Sequence, residues 1–221
     1  MLITLEGAEG AGKSTLVKIL AEELINKGKS VIISKEPGGT EIGRQIREIL
    51  VNDKTDSLYP VPQLLLLLAD RIQHIHSVIL PALREGKIVI CDRFMDSTWV
   101  YQGIMGKQDF IIQNLIKNYG LSLLQVKPDL TIFVNVNENT SRIRLQLRGD
   151  TNAYDDKYMN HCLSLNKSYA KHFAKEKEYN RIIFELDANP TLPEVIKTLK
   201  ENIDTFLTLP KNYLKEIQKC I

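Results

Sequence analysis

The 221-residue sequence predicts an α/β fold built on a parallel sheet. Three observations predict it. The segment Gly7-Ala8-Glu9-Gly10-Ala11-Gly12-Lys13-Ser14 fits G-x-x-x-x-G-K-[ST] and joins an apolar stretch to an amphipathic one. Short apolar stretches then alternate with segments of helical periodicity along the rest of the chain. The third of these stretches ends in Asp92-Arg93, at the end of a strand, where parallel sheets place their ligands.

Leu2-Ile3-Thr4-Leu5 reads as a buried strand, and Val17, Leu20, Ala21 and Leu24 follow the glycine-rich loop at helical spacing. The glycines permit backbone angles that turn N–H groups inward, and the helix N-terminus adds a positive partial charge. Phosphate is the implied ligand, with Lys13 on the β/γ-phosphates and the Ser14 hydroxyl on Mg²⁺. Gly28 stops the first helix, and Ser30-Val31-Ile32-Ile33-Ser34 predicts a second buried strand. Pro37-Gly38-Gly39 breaks the chain before Ile42, Ile46, Ile49 and Leu50 resume helical spacing. After a loop over 52–60, Leu68, Ile72, Ile75 and Ile79 keep one face of a long helix over 61–84, largely inside the protein, which Gly86 ends. Lys87-Ile88-Val89-Ile90-Cys91 predicts the third strand, and residues 130–136 and 182–186 predict two more. Thr191 and Glu194 form a capping-box pattern ahead of a final helix carrying Val195, Leu199, Ile203 and Phe206. One domain over 1–209 is expected, with a tail over 210–221 that carries no signal. Arg142, Arg144 and Arg148 lead into Gly149-Asp150-Thr151-Asn152, which reads equally as a mobile flap over 142–156 or as a solvated charged helix.

With 43% hydrophobic residues, 25% charged residues and a formal net charge of +2, the composition is that of an ordinary globular chain and implies no nucleic-acid polymer as partner. The longest apolar run, residues 64–69, stops at Asp70-Arg71, against the ~20 residues that a bilayer span needs. No membrane is implied. The first residues enter a strand without a signal-peptide pattern, so a cytoplasmic location is expected. Cys91, Cys162 and Cys220 are odd in number and widely spaced, which predicts free thiols. His74 and His76 diverge by roughly 200° on a helix and do not share a metal.

Asp92, at a strand end opposite the phosphate loop, suits Mg²⁺, and Arg93 suits a second phosphate gripped through two N–H bonds. Glu9, a carboxylate inside a phosphate loop, suits a sugar hydroxyl or metal-bound water. Beyond these local readings, the chain resembles the thymidylate kinase family nearly end to end. The resemblance is carried by Leu5-Glu6-Gly7-Ala8-Glu9-Gly10-Ala11-Gly12-Lys13-Ser14-Thr15, Glu36-Pro37-Gly38-Gly39-Thr40, Ala69-Asp70-Arg71, Pro81-Ala82-Leu83, Asp92-Arg93-Phe94, Tyr101-Gln102-Gly103 and Pro128-Asp129-Leu130. It implies a P-loop nucleoside monophosphate kinase: a five-stranded parallel sheet flanked by helices, a mobile lid, a homodimer, and transfer of the γ-phosphoryl group of ATP to dTMP with Mg²⁺. By resemblance, Glu9 meets the acceptor 3′-hydroxyl, and Arg47 and Arg93 meet its phosphate. Arg71, Thr98 and Gln102 meet thymine, and Tyr101 crowds the place of a ribose 2′-hydroxyl. Gly10 in the phosphate loop aligns the chain with members whose catalytic arginine lies in the lid.

Two positions depart from the family pattern. Leu67 stands where an aromatic residue usually stacks on thymine, and Ala153 falls where the lid arginine usually lies. Arg148 is then the first candidate for that arginine. Arg144, one turn earlier on the same face, is the reserve, and Arg142 points away from both. A nucleoside monophosphate oxygen is already anionic near neutral pH, so no strong base is required. The readings left open are a deoxynucleoside kinase with Glu9 as base, and a nucleotide-binding switch without catalysis.

Overall fold

The computed structural model describes residues 1–51, 58–112, 114–115, 126–149 and 161–209. Five strands form one all-parallel sheet in the order β2-β3-β1-β4-β5: β1 Leu2–Glu6, β2 Val31–Lys35, β3 Ile88–Asp92, β4 Leu130–Asn135 and β5 Ile183–Asp187. β1 lies at the centre, and all five of its residues are buried. A parallel strand covered on both faces needs such a near-continuous apolar run. Ile3, Leu5, Ile88 and Ile90 pack into the larger core on one face, whereas Leu2, Val89 and Cys91 alternate onto the other.

The larger core is closed by α1 Lys13–Asn26, α7 Cys162–Lys177 and α8 Leu192–Thr208. Gly28, at φ 74°, ends α1 by donating to Ile25 O, while Lys29 N–H reaches Leu24 O, so the last carbonyls are satisfied. α8 starts with the expected capping box, Glu194 reaching back to Thr191 N–H at 2.9 Å. Between these, α2 spans Glu41–Val51, α5 spans Met95–Thr98 and α6 spans Glu138–Arg148, with Gly149 in the left-handed region at the end of α6.

Two expectations are corrected by the structure. β2 is an edge strand rather than a buried one, with Ile33 51% exposed. An apolar run alone does not report on which side of the sheet a strand has no neighbour. The long helix divides into α3 Pro60–His74, a π-helical turn Ile75–Ile79 and α4 Leu80–Arg84, and it is less enclosed than expected, with Val61 39% and Leu65 49% exposed. Pro81 has no N–H and its ring opposes the carbonyl four residues back, at Ser77, which accounts for the widened turn there. By length and composition this run passes the test for a bilayer span, yet its Asp70, Arg71 and His74 are buried against loop residues of the same chain.

Candidate active site

A cavity of about 620 Å³ opens at the carboxyl ends of β1 and β3. Of the predicted site residues, Glu9, Gly10, Ala11, Gly12, Lys13, Ser14, Thr15, Arg47, Leu67, Arg71, Asp92, Arg93, Thr98, Tyr101, Gln102 and Arg148 line it. Gly7 and Ala8 lie beneath the wall, where their carbonyls accept from Lys13 Nζ at 3.0 and 2.8 Å. The glycines here meet a steric demand. A Cβ on Gly7 would stand 2.4 Å from Val134 O, and one on Gly10, at φ 70°, would stand 2.6 Å from Ser141 O. The loop therefore presses on β4 and α6, and Ser141 Oγ fastens it by donating to Glu9 O at 2.8 Å. Burial, and next the charge of Arg93, lower the Lys13 pKa to about 8.

Directly beyond β3, Arg93 takes φ 70°, which is uncommon for a non-glycine residue and turns its side chain back toward the loop. Its Nη2 donates to Glu9 Oε1 at 2.9 Å and its Nη1 to Gly7 O, Ser97 Oγ and Tyr169 Oη at 3.0, 3.1 and 3.3 Å. Burial opposes its charge, but the surrounding phenols and carboxylates more than offset that, so it stays cationic. Tyr101 also reaches Glu9, and the Arg93 guanidinium lies 5.1 Å over its ring.

Arg71 sits deeper. Its Nε donates to Glu36 Oε2 at 2.6 Å, Nη1 to Thr98 Oγ1 at 2.9 Å and Nη2 to Phe94 O at 2.9 Å. Glu36 in turn meets His74 Nδ1 at 2.8 Å, and His74 Nε2 lies 2.6 Å from Ser34 Oγ. Glu36, His74 and Cys91 are the one group among the described residues whose ligand atoms gather closely enough for a metal. Its carboxylate is already taken by Arg71, and burial pushes the Cys91 thiol well above its usual range, so it is a hydrogen-bonded support for Arg71. Cys91 and Cys162 are free thiols, and Cys220 lies outside the described residues.

Ser14 Oγ donates to Asp92 Oδ2 at 2.6 Å across the mouth of the loop. Two adjoining hard oxygen donors beside a phosphate loop fit Mg²⁺. Arg144 and Arg148 both line the cavity, whereas Arg142 pairs with Glu138 on the outside of α6. Arg144 is anchored on two carbonyls, Ala11 O at 3.3 Å and Ala188 O at 2.8 Å. Of the stretch 142–156, expected as a flap or as a solvated charged helix, residues 150–156, with Ala153, lie outside the described residues.

Sequence reading missed Glu6, Glu36, Ser97 and Tyr169 as parts of this site. A charge closing an otherwise apolar strand was the available signal for Glu6. Tyr169 had none, since it arrives from α7, far along the chain. Burial, then the charge of Asp96, raises the Glu6 pKa to about 7, against hydrogen bonds from Ser97 and Phe94 N–H and the charge of Arg93.

The family model for thymidylate kinase matches residues 5–199. Thymidylate kinase of Legionella pneumophila (strain Corby) is 39% identical over 207 residues, covering 93% of this chain and 95% of that protein. Thymidylate kinase of Ectopseudomonas mendocina (strain ymp) is 34% identical over 195 residues, covering 88% and 90%. Among solved structures, thymidylate kinase from Ehrlichia chaffeensis superposes with a TM-score of 0.68 at 26% identity, covering 94% of this chain and 98% of that one. With the parallel sheet, the phosphate loop and a family match over most of its length, this chain belongs to the thymidylate kinase family.

Proposed function

We propose that the protein transfers the γ-phosphoryl group of ATP to dTMP, giving dTDP and ADP. The observation that carries this reading is that one cavity holds two cationic centres, Lys13 in the phosphate loop and Arg93 facing it from beyond β3, with Arg47 on the same wall. A donor polyphosphate and an acceptor monophosphate can thus meet head to head. The far end, lined by Leu145, Leu192 and Val195, suits the donor purine. Thr98 and Gln102, beside Arg71, suit the carbonyl and imide edge of thymine.

The acceptor oxygen is already anionic near pH 7, so catalysis consists of alignment and charge neutralisation. Lys13 and Arg148 neutralise the transferring group, and Arg93 and Arg47 hold the acceptor phosphate. Glu9 accepts from the acceptor 3′-hydroxyl. Bound on Ser14 and Asp92, Mg²⁺ would supply further neutralisation of the donor phosphates. Residues 142–156 serve as the lid. Glu9 already accepts from Arg93 and Tyr101, as an orienting group does, which favours this reading over a base that activates a nucleoside hydroxyl. The second basic centre and the base-edge donors are parts that a nucleotide switch has no use for.

The protein is also proposed to act as a cytoplasmic homodimer. In support, Ile42 and Ile49 on α2 and Val61 and Leu65 on α3 leave large apolar side chains 39–53% exposed on two packed helices. The test of function is ADP release from purified protein with ATP and Mg²⁺ and each nucleoside monophosphate in turn. Release that depends on dTMP supports the reading, and release independent of any acceptor refutes it. Light scattering on the same sample reads the dimer.

A further inference from the structure

The mechanism above makes no use of Glu6, yet the fold devotes several groups to it. It closes β1, is completely buried, and follows Leu2-Ile3-Thr4-Leu5, so water is not what satisfies its carboxylate. Its Oε1 accepts the Phe94 N–H at 2.7 Å, which is the amide directly after Arg93 and its left-handed turn. Its Oε2 accepts from Ser97 Oγ at 2.5 Å and lies 3.3 Å from Tyr169 Oη, and those two hydroxyls are 2.9 Å apart. The same two hydroxyl oxygens receive Arg93 Nη1.

Proton counting fixes the direction of this network. A guanidinium only donates and an ionised carboxylate only accepts, while a hydroxyl has a single proton. Ser97 therefore gives its proton down to Glu6 and turns a lone pair up to Arg93. Tyr169, whose one proton goes to Glu6 Oε2 or to Ser97 Oγ below it, likewise turns a lone pair to Arg93.

We propose that Glu6 is a positioning residue for Arg93: by taking the Phe94 amide and the protons of Ser97 and Tyr169, it fixes both the backbone turn and the acceptor oxygens that aim the guanidinium. The inference rests on the assignment of Arg93 to the acceptor phosphate. Glu6→Gln keeps the shape and inverts the polarity. Its amide nitrogen donates where a carboxylate oxygen accepted, and since the Ser97 and Tyr169 hydroxyls can give a proton only to each other, one of their two protons is left to face Arg93, where a donor repels the guanidinium.

The test is steady-state kinetics on the full chain at pH 8 with ATP and Mg²⁺ saturating and dTMP varied, together with a thermal melt. Glu6→Gln should raise KM for dTMP roughly tenfold and lower kcat severalfold, the scale of a disturbed hydrogen bond to a charged group. KM for ATP should stay within about twofold and the melting temperature should not fall. Ser97→Ala should give the same dTMP-selective pattern, and the double variant should add little to either single one, since the two act in series. An unchanged KM for dTMP, equal losses toward both substrates with a lower melting temperature, or full additivity would overturn the proposal. If Glu6→Gln does not fold, Ser97→Ala and Tyr169→Phe decide the matter by the same pattern. A wild-type protein that does not phosphorylate dTMP refutes the functional reading instead. In that event the crystal structure of Glu6→Gln still decides the inference, because an Arg93 guanidinium found unmoved against Gly7 O and Tyr169 Oη overturns it.

Discussion

The Tyr101 hydroxyl lies 2.8 and 2.7 Å from the two carboxylate oxygens of Glu9. The phenol is thus held at its tip by Glu9 and on its face by Arg93, so its ring forms a fixed wall of the cavity. If that wall excludes a ribose 2′-hydroxyl, releasing its tip weakens the exclusion. Tyr101→Phe is expected to narrow the kcat/KM preference for dTMP over its ribonucleotide counterpart roughly fivefold, which corresponds to about 1 kcal/mol. Competition kinetics with both nucleotides measure the ratio, and an unchanged ratio removes Tyr101 from the specificity wall.

Lys13→Ala is expected to abolish dTDP formation while leaving the fold in place. Lys13 contributes little to the fold, because burial and Arg93 already disfavour its charge and its Nζ bonds only to the loop that it serves. Coupled ADP-release assays and circular dichroism separate the two effects. Turnover at the wild-type rate would remove the loop from catalysis.

The two arginines of α6 should separate in kinetics. Arg148→Ala should lower kcat roughly 10³-fold with little change in KM, as for a charge used mainly in the transition state. Arg144→Ala should instead weaken ATP binding, because Arg144 braces Ala11 O against Ala188 O at the donor end of the cavity. A kcat loss confined to Arg144→Ala would reverse the assignment.

How far these residues were legible depended on how local their signals were. The phosphate loop, the Asp92-Arg93 strand end and the α8 capping box are set by short-range chemistry, and all were readable from spacing. Glu6 stood in one of the stretches that carry the family resemblance and as a charge at the end of an apolar strand, with no role attached to it. Tyr169 and Ser97 were not visible at all, since their role depends on α7 and the segment after β3 meeting beneath Arg93. β2 was misread as buried because strand order is a property of the whole sheet. The same limit applies to Glu36 and His74, whose contacts with Arg71 and Ser34 bring β2 and the loop after it against α3.

Two buried carboxylates give the fold opposite pH dependences. Asp96 accepts from both terminal nitrogens of Arg181 at 2.6 and 2.8 Å and pairs with His172 at 2.7 Å. Burial opposes its ionisation, but the charge and hydrogen bonds of Arg181 outweigh that and hold its pKa well below the usual range. The folded state thus favours ionised Asp96, and its contribution is complete above the unfolded pKa of about 3.9 and lost as pH falls below it. Glu6 behaves in reverse. With its folded pKa raised to about 7, its contribution is complete below about 4.3 and lost as pH rises through 7. Melting temperatures should accordingly fall below pH 4, and Glu6→Gln should gain on the wild type between pH 5 and 8. A Glu6→Gln difference that is flat across that window would refute the assignment of this loss to Glu6.

Leu67 lines the cavity, is partly exposed, and belongs to none of the buried clusters formed among the described residues. A phenylalanine placed there can extend into the cavity instead of overpacking the interior. An aromatic platform under a base is worth ~1–3 kcal/mol by alanine substitution, and leucine keeps the apolar contact while lacking the flat face. The difference should be about 1 kcal/mol, or roughly fivefold in affinity. The phosphate contacts of Arg93 and Lys13 are unaffected by a change on α3, so the chemical step should not alter. Leu67→Phe is therefore expected to lower KM for dTMP severalfold at constant kcat with an unchanged melting temperature. If Leu67 served the core instead, the larger ring would cost ~1–3 kcal/mol of stability and leave KM where it was. Steady-state kinetics and a thermal melt on this one variant tell the two apart, and a lower melting temperature with an unchanged KM would refute its place in the base pocket.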